Sequence, residues 1–150
     1  MAEPSQHRIA EVQALLSRAS AWAAQRHDIR ALALVGSWAR GTARQDSDVD
    51  LILLSVEPET YVDGSDWLRG LAEGSLLAPK PWGAITERRL VLTGGLELDI
   101  GIGTPSWAGV SPADQGTQSV VARGFGSLYD PDDLLARLAE VCGVRMAGPR

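Results

Sequence analysis

Cysteine is almost missing from this 150-residue chain. Cys142 stands alone, which excludes an internal disulfide and any zinc site built from several thiolates. No stretch approaches the roughly 18 apolar residues of a membrane-spanning helix. The start, Met1-Ala2-Glu3-Pro4-Ser5, lacks the apolar segment of a secretion signal. A soluble, cytoplasmic protein is therefore expected. An excess of basic charge is missing too: 14 Lys and Arg against 19 Asp and Glu leave −5, which argues against a surface that grips long nucleic acid through its phosphates. A local phosphate pocket is still compatible with that balance where metal ions stand between acids and phosphates. The 16 glycines and 8 prolines follow no period, so fibrous and low-complexity readings fall away. What remains, 45% hydrophobic and 22% charged residues, is a globular mixture with one domain's worth of chain, expected to span residues 1–150.

Hydrophobic spacing organises that chain. With Ser5 as N-cap, Ile9, Val12, Leu16, Ala19 and Ala23 recur every three or four residues, and Leu15 and Trp22 widen the stripe, so an amphipathic helix is expected to end between Gln25 and Asp28. Arg30–Val35 reads as a buried strand broken by Gly36-Ser37, and Asp48–Ser55 as a second. Glu57–Asp66 reads as a loop, Asp66–Glu73 as a modest helix, and Leu77–Gly83 as irregular chain. Ala84–Thr93 and Leu96–Gly103 suggest a hairpin around a two-residue Gly94-Gly95 turn. A helix over Gln115–Ala122, a strand at Ser127–Tyr129 and a last helix over Pro131–Val141, capped by Asp130 and stopped at Gly143, complete the walk. The order predicts an α/β (α+β) protein with a mixed central β-sheet and helices packed on it.

The informative stretch is 34–54. Asp48 and Asp50, two apart on a strand, project from one face about 6–7 Å apart, while Val49, Leu51 and Leu53 anchor the other. Like charges side by side weaken a sheet, so such a face suits divalent cations. Mg²⁺ takes hard oxygen ligands and is completed by substrate phosphates. Two such ions roughly 4 Å apart can clamp the attacking and leaving oxygens of a phosphoryl-type displacement. Asp99, between Leu98 and Ile100, is the candidate third acid if its strand (96–103) pairs beside Asp48–Ser55. Glu97 faces the same way and reads as its solvated neighbour. Gly36 permits a tight turn and close approach to a ligand. Ser37 offers a hydroxyl and opens a short helix whose free N–H groups favour phosphate. Arg40 and Arg44 could balance triphosphate charge, and spacing does not decide which of them reaches it.

Val35-Gly36-Ser37, ten residues (38–47), Asp48-Val49-Asp50-Leu51 and later Leu98-Asp99-Ile100 resemble the signature of the DNA polymerase β-type nucleotidyltransferase superfamily. The wording Gly-Ser-Trp-Ala-Arg-Gly followed by Ser-Asp-Val-Asp-Leu is especially similar to small stand-alone members, the minimal nucleotidyltransferases, and to aminoglycoside adenylyltransferases and antitoxin partners of HEPN-type toxins. The resemblance implies the nucleotidyltransferase fold. It also implies two Mg²⁺ ions held by Asp48, Asp50 and Asp99, with Asp99 helping to deprotonate the acceptor. Nucleotide phosphates would bind at Gly36 and Ser37. The implied reaction transfers a nucleoside monophosphate, most often AMP from ATP or another NTP, to a hydroxyl of a small molecule or partner protein, with release of pyrophosphate. The alternative is a non-catalytic or protein-modifying antitoxin-like subunit, and a homodimer is compatible with either. Three clustered carboxylates also demand at least one raised pKa when no cation is bound.

Other residues read more plainly. Trp22, Trp38, Trp67 and Trp107 suit packing, Cys142 a small buried position, and His7 and His27 no metal or base role. Arg88-Arg89 points to both strand faces, so at most one of the two could serve the site, and surface charge is the expected role.

Overall fold

A computed structural model describes residues 2–147; residues 1 and 148–150, the ends of the expected domain, lie outside it. Helix α1 (Gln6–Ala24) begins where expected, because the Ser5 hydroxyl accepts from the Arg8 amide at 3.0 Å and satisfies one of the first-turn donors. Its buried stripe is Val12, Leu15, Leu16, Ala19, Trp22 and Ala23. Strand β1 (Ile29–Val35) leads through Gly36 into the four-residue helix α2 (Ser37–Arg40) and on to β2 (Val49–Ser55). Then come α3 (Glu59–Val62), β3 (Gly74–Leu76), β4 (Lys80–Trp82), β5 (Ile85–Leu92), β6 (Glu97–Gly103), α4 (Gln115–Ala122), β7 (Phe125–Tyr129) and α5 (Leu134–Cys142).

The strands form one mixed sheet in the order β3-β5-β6-β2-β1-β7, with β4 also paired to β5. Among the described strands β2 and β6 run parallel and the other pairs are antiparallel. This is the mixed central sheet with helices packed on it that the order of elements predicts. One face carries Leu32, Leu34, Val49, Leu51, Leu53, Leu98, Ile100 and Ile102 against α1 and the Tyr61–Leu71 region. The opposite face buries Ala33, Ile52 and Leu54 under Trp107, Val121, Leu135 and Leu138. Both faces of β1 and β2 are thus covered. Among the described residues no helix is long and apolar enough to cross a membrane.

Several local expectations need correction. The helix over Asp66–Glu73 reduces to a 3-10 turn, Asp66–Leu68, followed by Gly70 at φ +81°. The Glu57–Asp66 loop contains α3, whose Tyr61 is fully buried between Trp22 and Trp67 with ring centroids 5.9 and 5.7 Å away. Its hydroxyl donates to Asp28 at 2.6 Å and accepts from Arg26 at 2.8 Å. The Leu77–Gly83 segment holds the edge strand β4, where Pro81 needs no further partner for its missing N–H. The hairpin loop has three residues, Thr93–Gly95, because Leu92 donates to the Leu96 carbonyl at 2.8 Å and pairing starts one residue earlier. The last helix starts at Leu134, three residues after the expected start; Asp130 still caps it, accepting from the Leu135 and Ala136 amides at 3.1 and 3.0 Å. Cys142 is only half-buried.

Candidate active site

Parallel pairing of β2 with β6 sets Asp50 opposite Asp99, and Asp50 opposite Val35 on the other side. Arg89 of β5 is in turn opposite Asp99. Directly opposed residues in a sheet project to the same face. Val35, Asp50, Asp99 and Arg89 therefore form one row across four strands. Asp48, just before β2, shares that face by strand parity. Ligand oxygens of Asp48, Asp50 and Asp99 lie within 4.8 Å of one another. The three acids singled out in the sequence do converge.

Two glycines make room for this arrangement. Gly36 has φ +77°, and a Cβ placed there would lie 2.5 Å from Asp50 Oδ2. Any side chain would displace the carboxylate and strain the turn. Gly101, two residues after Asp99, leaves space for Ile52 and Ile85, each 2.9 Å from where its Cβ would be. Both faces of β6 can thus be covered while its acidic end stays open.

The electrostatics show how uneasy the cluster is without a cation. Burial, then the neighbouring Asp48 and Asp99 charges, push the Asp50 carboxyl up to about 7. Burial, then Glu87, raise Asp99 to about 6, although Arg89 opposes the rise. Asp99 Oδ1 is buried and has no hydrogen-bond partner. Its Oδ2 accepts from Arg89 Nη2 at 3.1 Å, and Arg89 Nη1 donates to Asp48 Oδ2 and Glu97 Oε1, each at 3.1 Å. Surface charge is thus the wrong description of both arginines. Arg88 is buried and donates to the carbonyls of Leu77, Tyr61, Val62 and Gly64. Glu97, exposed, meets the cluster through Arg89.

The remaining candidates lie on either side. Ser37, Arg40 and Arg44 border a shallow cleft with Thr42, Asp46 and Ser47, next in chain to Gly36 and Asp48. Arg40 donates to Thr42 Oγ1 at 3.0 Å and to the Arg123 carbonyl, so its guanidinium braces the loop. Asp50 and Asp99 open in the other direction onto a cleft of about 380 Å³ walled by Val35, Ile52, Ile85 and Trp107 and edged by Trp82 and Glu87. Trp82 is exposed, and its Nε1 donates to Glu87 at 3.0 Å. A larger cavity of about 680 Å³, between α1 and the Leu68–Glu73 turn, contains none of the three acids.

Residues 17–90 match the family model described as nucleotidyltransferase domain. The matched stretch takes in Gly36, Ser37, Asp48, Asp50 and Arg89. Over those residues the chain is similar to nucleotidyltransferases, a class of transferases that act on nucleoside triphosphates with divalent metals. Among solved structures it is similar to the Cid1 poly(U) polymerase, at 24% identity over 66% of this chain and 31% of that one, with a TM-score of 0.47. Cid1 in complex with the UTP analogue UMPNPP gives 23% identity over 66% and 31%, again with 0.47. A cytoplasmic RNA terminal U-transferase gives 23% over 67% and 30%, with 0.46. The match spans less than a third of each of those chains. No curated protein sequence matches this one.

Proposed function

We propose that this protein transfers a nucleoside monophosphate, with ATP as the expected donor, to a hydroxyl group and releases pyrophosphate. The observation that carries the reading is the opposition of Asp50 and Asp99 on adjacent parallel strands, with Asp48 joining them. The donor set fits divalent cations, Mg²⁺ in particular: three carboxylates, one of them presenting a buried, unpartnered oxygen. When bound, such ions would neutralise phosphate charge and activate the acceptor hydroxyl. Asp48, Asp50 and Asp99 would hold them, and Asp99, at the mouth of the cleft walled by Val35, Ile52, Ile85 and Trp107, would accept the hydroxyl proton.

Gly36 and Ser37 would bind the triphosphate, with Arg40 and Arg44 supplying the cationic border on that side. Among the described residues no arginine or lysine lines the cleft beyond Asp50 and Asp99, which suits an acceptor or nucleoside group carrying no phosphate. Its size is that of a small-molecule site. Net charge of −5 continues to argue against long nucleic acid, so the acceptor is a small molecule or a segment of a partner protein.

The test is transfer of label from α-phosphate-labelled ATP, with Mg²⁺, into fractionated small-molecule and protein extracts, together with pyrophosphate release. The reading requires label transfer that Asp48→Asn and Asp50→Asn each abolish. Transfer persisting at full rate in both variants, or absent with every fraction, would overturn it.

A further inference from the structure

The sixth strand's acids are held by an arginine whose position is hard to reconcile with a passive surface ion pair. Arg89 spans the cluster: one nitrogen donates to Asp99 Oδ2, another is shared between Asp48 Oδ2 and Glu97 Oε1, all at 3.1 Å, and Glu87 lies 3.8 Å from Nε. Two of those acceptors, on Asp48 and Asp99, belong to the carboxylates that would take a divalent cation. Arg89 is itself only partly exposed, at 30% of its side chain, so its charge is screened less than that of a free surface arginine.

Resting on the nucleotidyl-transfer reading, we infer that Arg89 is the resident counter-ion of the acid cluster: it competes with divalent cations for the Asp48 and Asp99 carboxylates and thereby sets metal affinity. Without a bound cation, its guanidinium compensates charges that burial and mutual repulsion make costly. A cation entering the cluster meets a positive group within hydrogen-bonding distance of two of its ligands. Binding must then either displace the guanidinium or leave it holding one oxygen of Asp99 while Oδ1, which has no partner, turns to the ion. In both cases the arginine lowers affinity for the bare ion. A nucleotide that brings its own negative charge offsets that cost, so the metal is held firmly only with its substrate. Arg89 is thus a positioning residue that acts through Asp48 and Asp99.

The experiment is calorimetric titration with Mn²⁺ of the full chain, with and without a non-hydrolysable ATP analogue, for wild type, Arg89→Met and Arg89→Lys. Loss of one unit charge from a partly solvated site is expected to tighten Mn²⁺ binding by roughly tenfold in Arg89→Met without nucleotide. Arg89→Lys, which keeps the charge, should stay near wild type. The metal-free Arg89→Met protein should melt at a lower temperature than wild type, and Mn²⁺ should raise its melting temperature by more. A merely structural ion pair predicts weaker or unchanged Mn²⁺ binding in Arg89→Met, and that result overturns this inference while leaving the nucleotidyl-transfer reading standing. Failure of every protein to take up Mn²⁺, even with nucleotide, would overturn both.

Discussion

Asp50 stands where Gly36 leaves no room for a side chain: a Cβ at Gly36 would lie 2.5 Å from the Oδ2 oxygen of Asp50. The turn that ends β1 and the acid on β2 are therefore one unit. Gly36→Ala adds a methyl to a backbone at φ +77° and pushes against that oxygen. We expect a loss of about 1–2 kcal/mol in stability and, beyond it, a loss of divalent-ion uptake, read by denaturant melts and by calorimetry on the still-folded variant. Unchanged uptake would separate the turn from the acid cluster.

The raised carboxyls predict an unusual pH dependence. Asp50 goes from an unfolded value of 3.8 to about 7 in the fold, and Asp99 to about 6. Both bind protons more tightly when folded, so their contribution to stability is complete below about pH 4 and is lost as pH rises through 6 and 7. With a chelator present, the melting temperature should fall between pH 5 and 8; saturating Mg²⁺ should flatten the fall. Asp50→Asn should raise the metal-free stability at pH 8 by about 1–2 kcal/mol, after allowance for solvent reaching the cluster, while removing activity. A parallel decline with and without Mg²⁺ would contradict the assignment.

Arg40 and Arg44 border the cleft beside Ser37. If the triphosphate lies there, Arg44→Ala should weaken binding of an ATP analogue about tenfold while leaving Mn²⁺ uptake by the bare protein unaffected. Arg40→Ala should do less at the ligand and more to stability, because its guanidinium ties the loop to the Arg123 carbonyl. Fluorescence titration and thermal melts distinguish the two, and equal effects on both quantities would not fit.

Stability away from the site should depend on Tyr61. Its hydroxyl donates to Asp28, which also accepts from the Ser55 hydroxyl at 2.7 Å. Tyr61→Phe leaves the ring packing and removes two charge-assisted hydrogen bonds, to Asp28 and from Arg26, an expected net cost of about 1.5–3 kcal/mol in urea unfolding. A change of only a few tenths would mean that the network is dispensable.

How much of this was legible beforehand depended on whether the information is local. The Ser5 cap, the α1 stripe, the Gly36 turn and the alternation at Asp48–Leu53 are fixed by neighbours in sequence, and each stands where periodicity puts it. Asp99 needed one long-range fact, the β2–β6 pairing, which the motif spacing suggests and the structure supplies. Which of Arg88 and Arg89 serves the cluster turns on a single residue of register. A two-residue Gly94-Gly95 turn would set Leu90 opposite Asp99, whereas the three-residue loop sets Arg89 there. Because side chains alternate between faces, that one-residue difference exchanges an apolar neighbour for a cation. Helix α3 escaped for another reason: four residues are too few to show a period, and its anchor, Tyr61, is buried only because Trp22 and Trp67 arrive from distant segments. The Asp66–Glu73 helix failed because Gly70 bends the chain away after one turn.

The most direct test is a crystal of the protein grown with Mn²⁺ and a non-hydrolysable ATP analogue, measured for anomalous scattering from manganese. The account predicts anomalous peaks among the carboxylates of Asp48, Asp50 and Asp99, with the triphosphate running from them toward Gly36 and Ser37. Manganese bound elsewhere, or a nucleotide seated away from these three side chains, would contradict it.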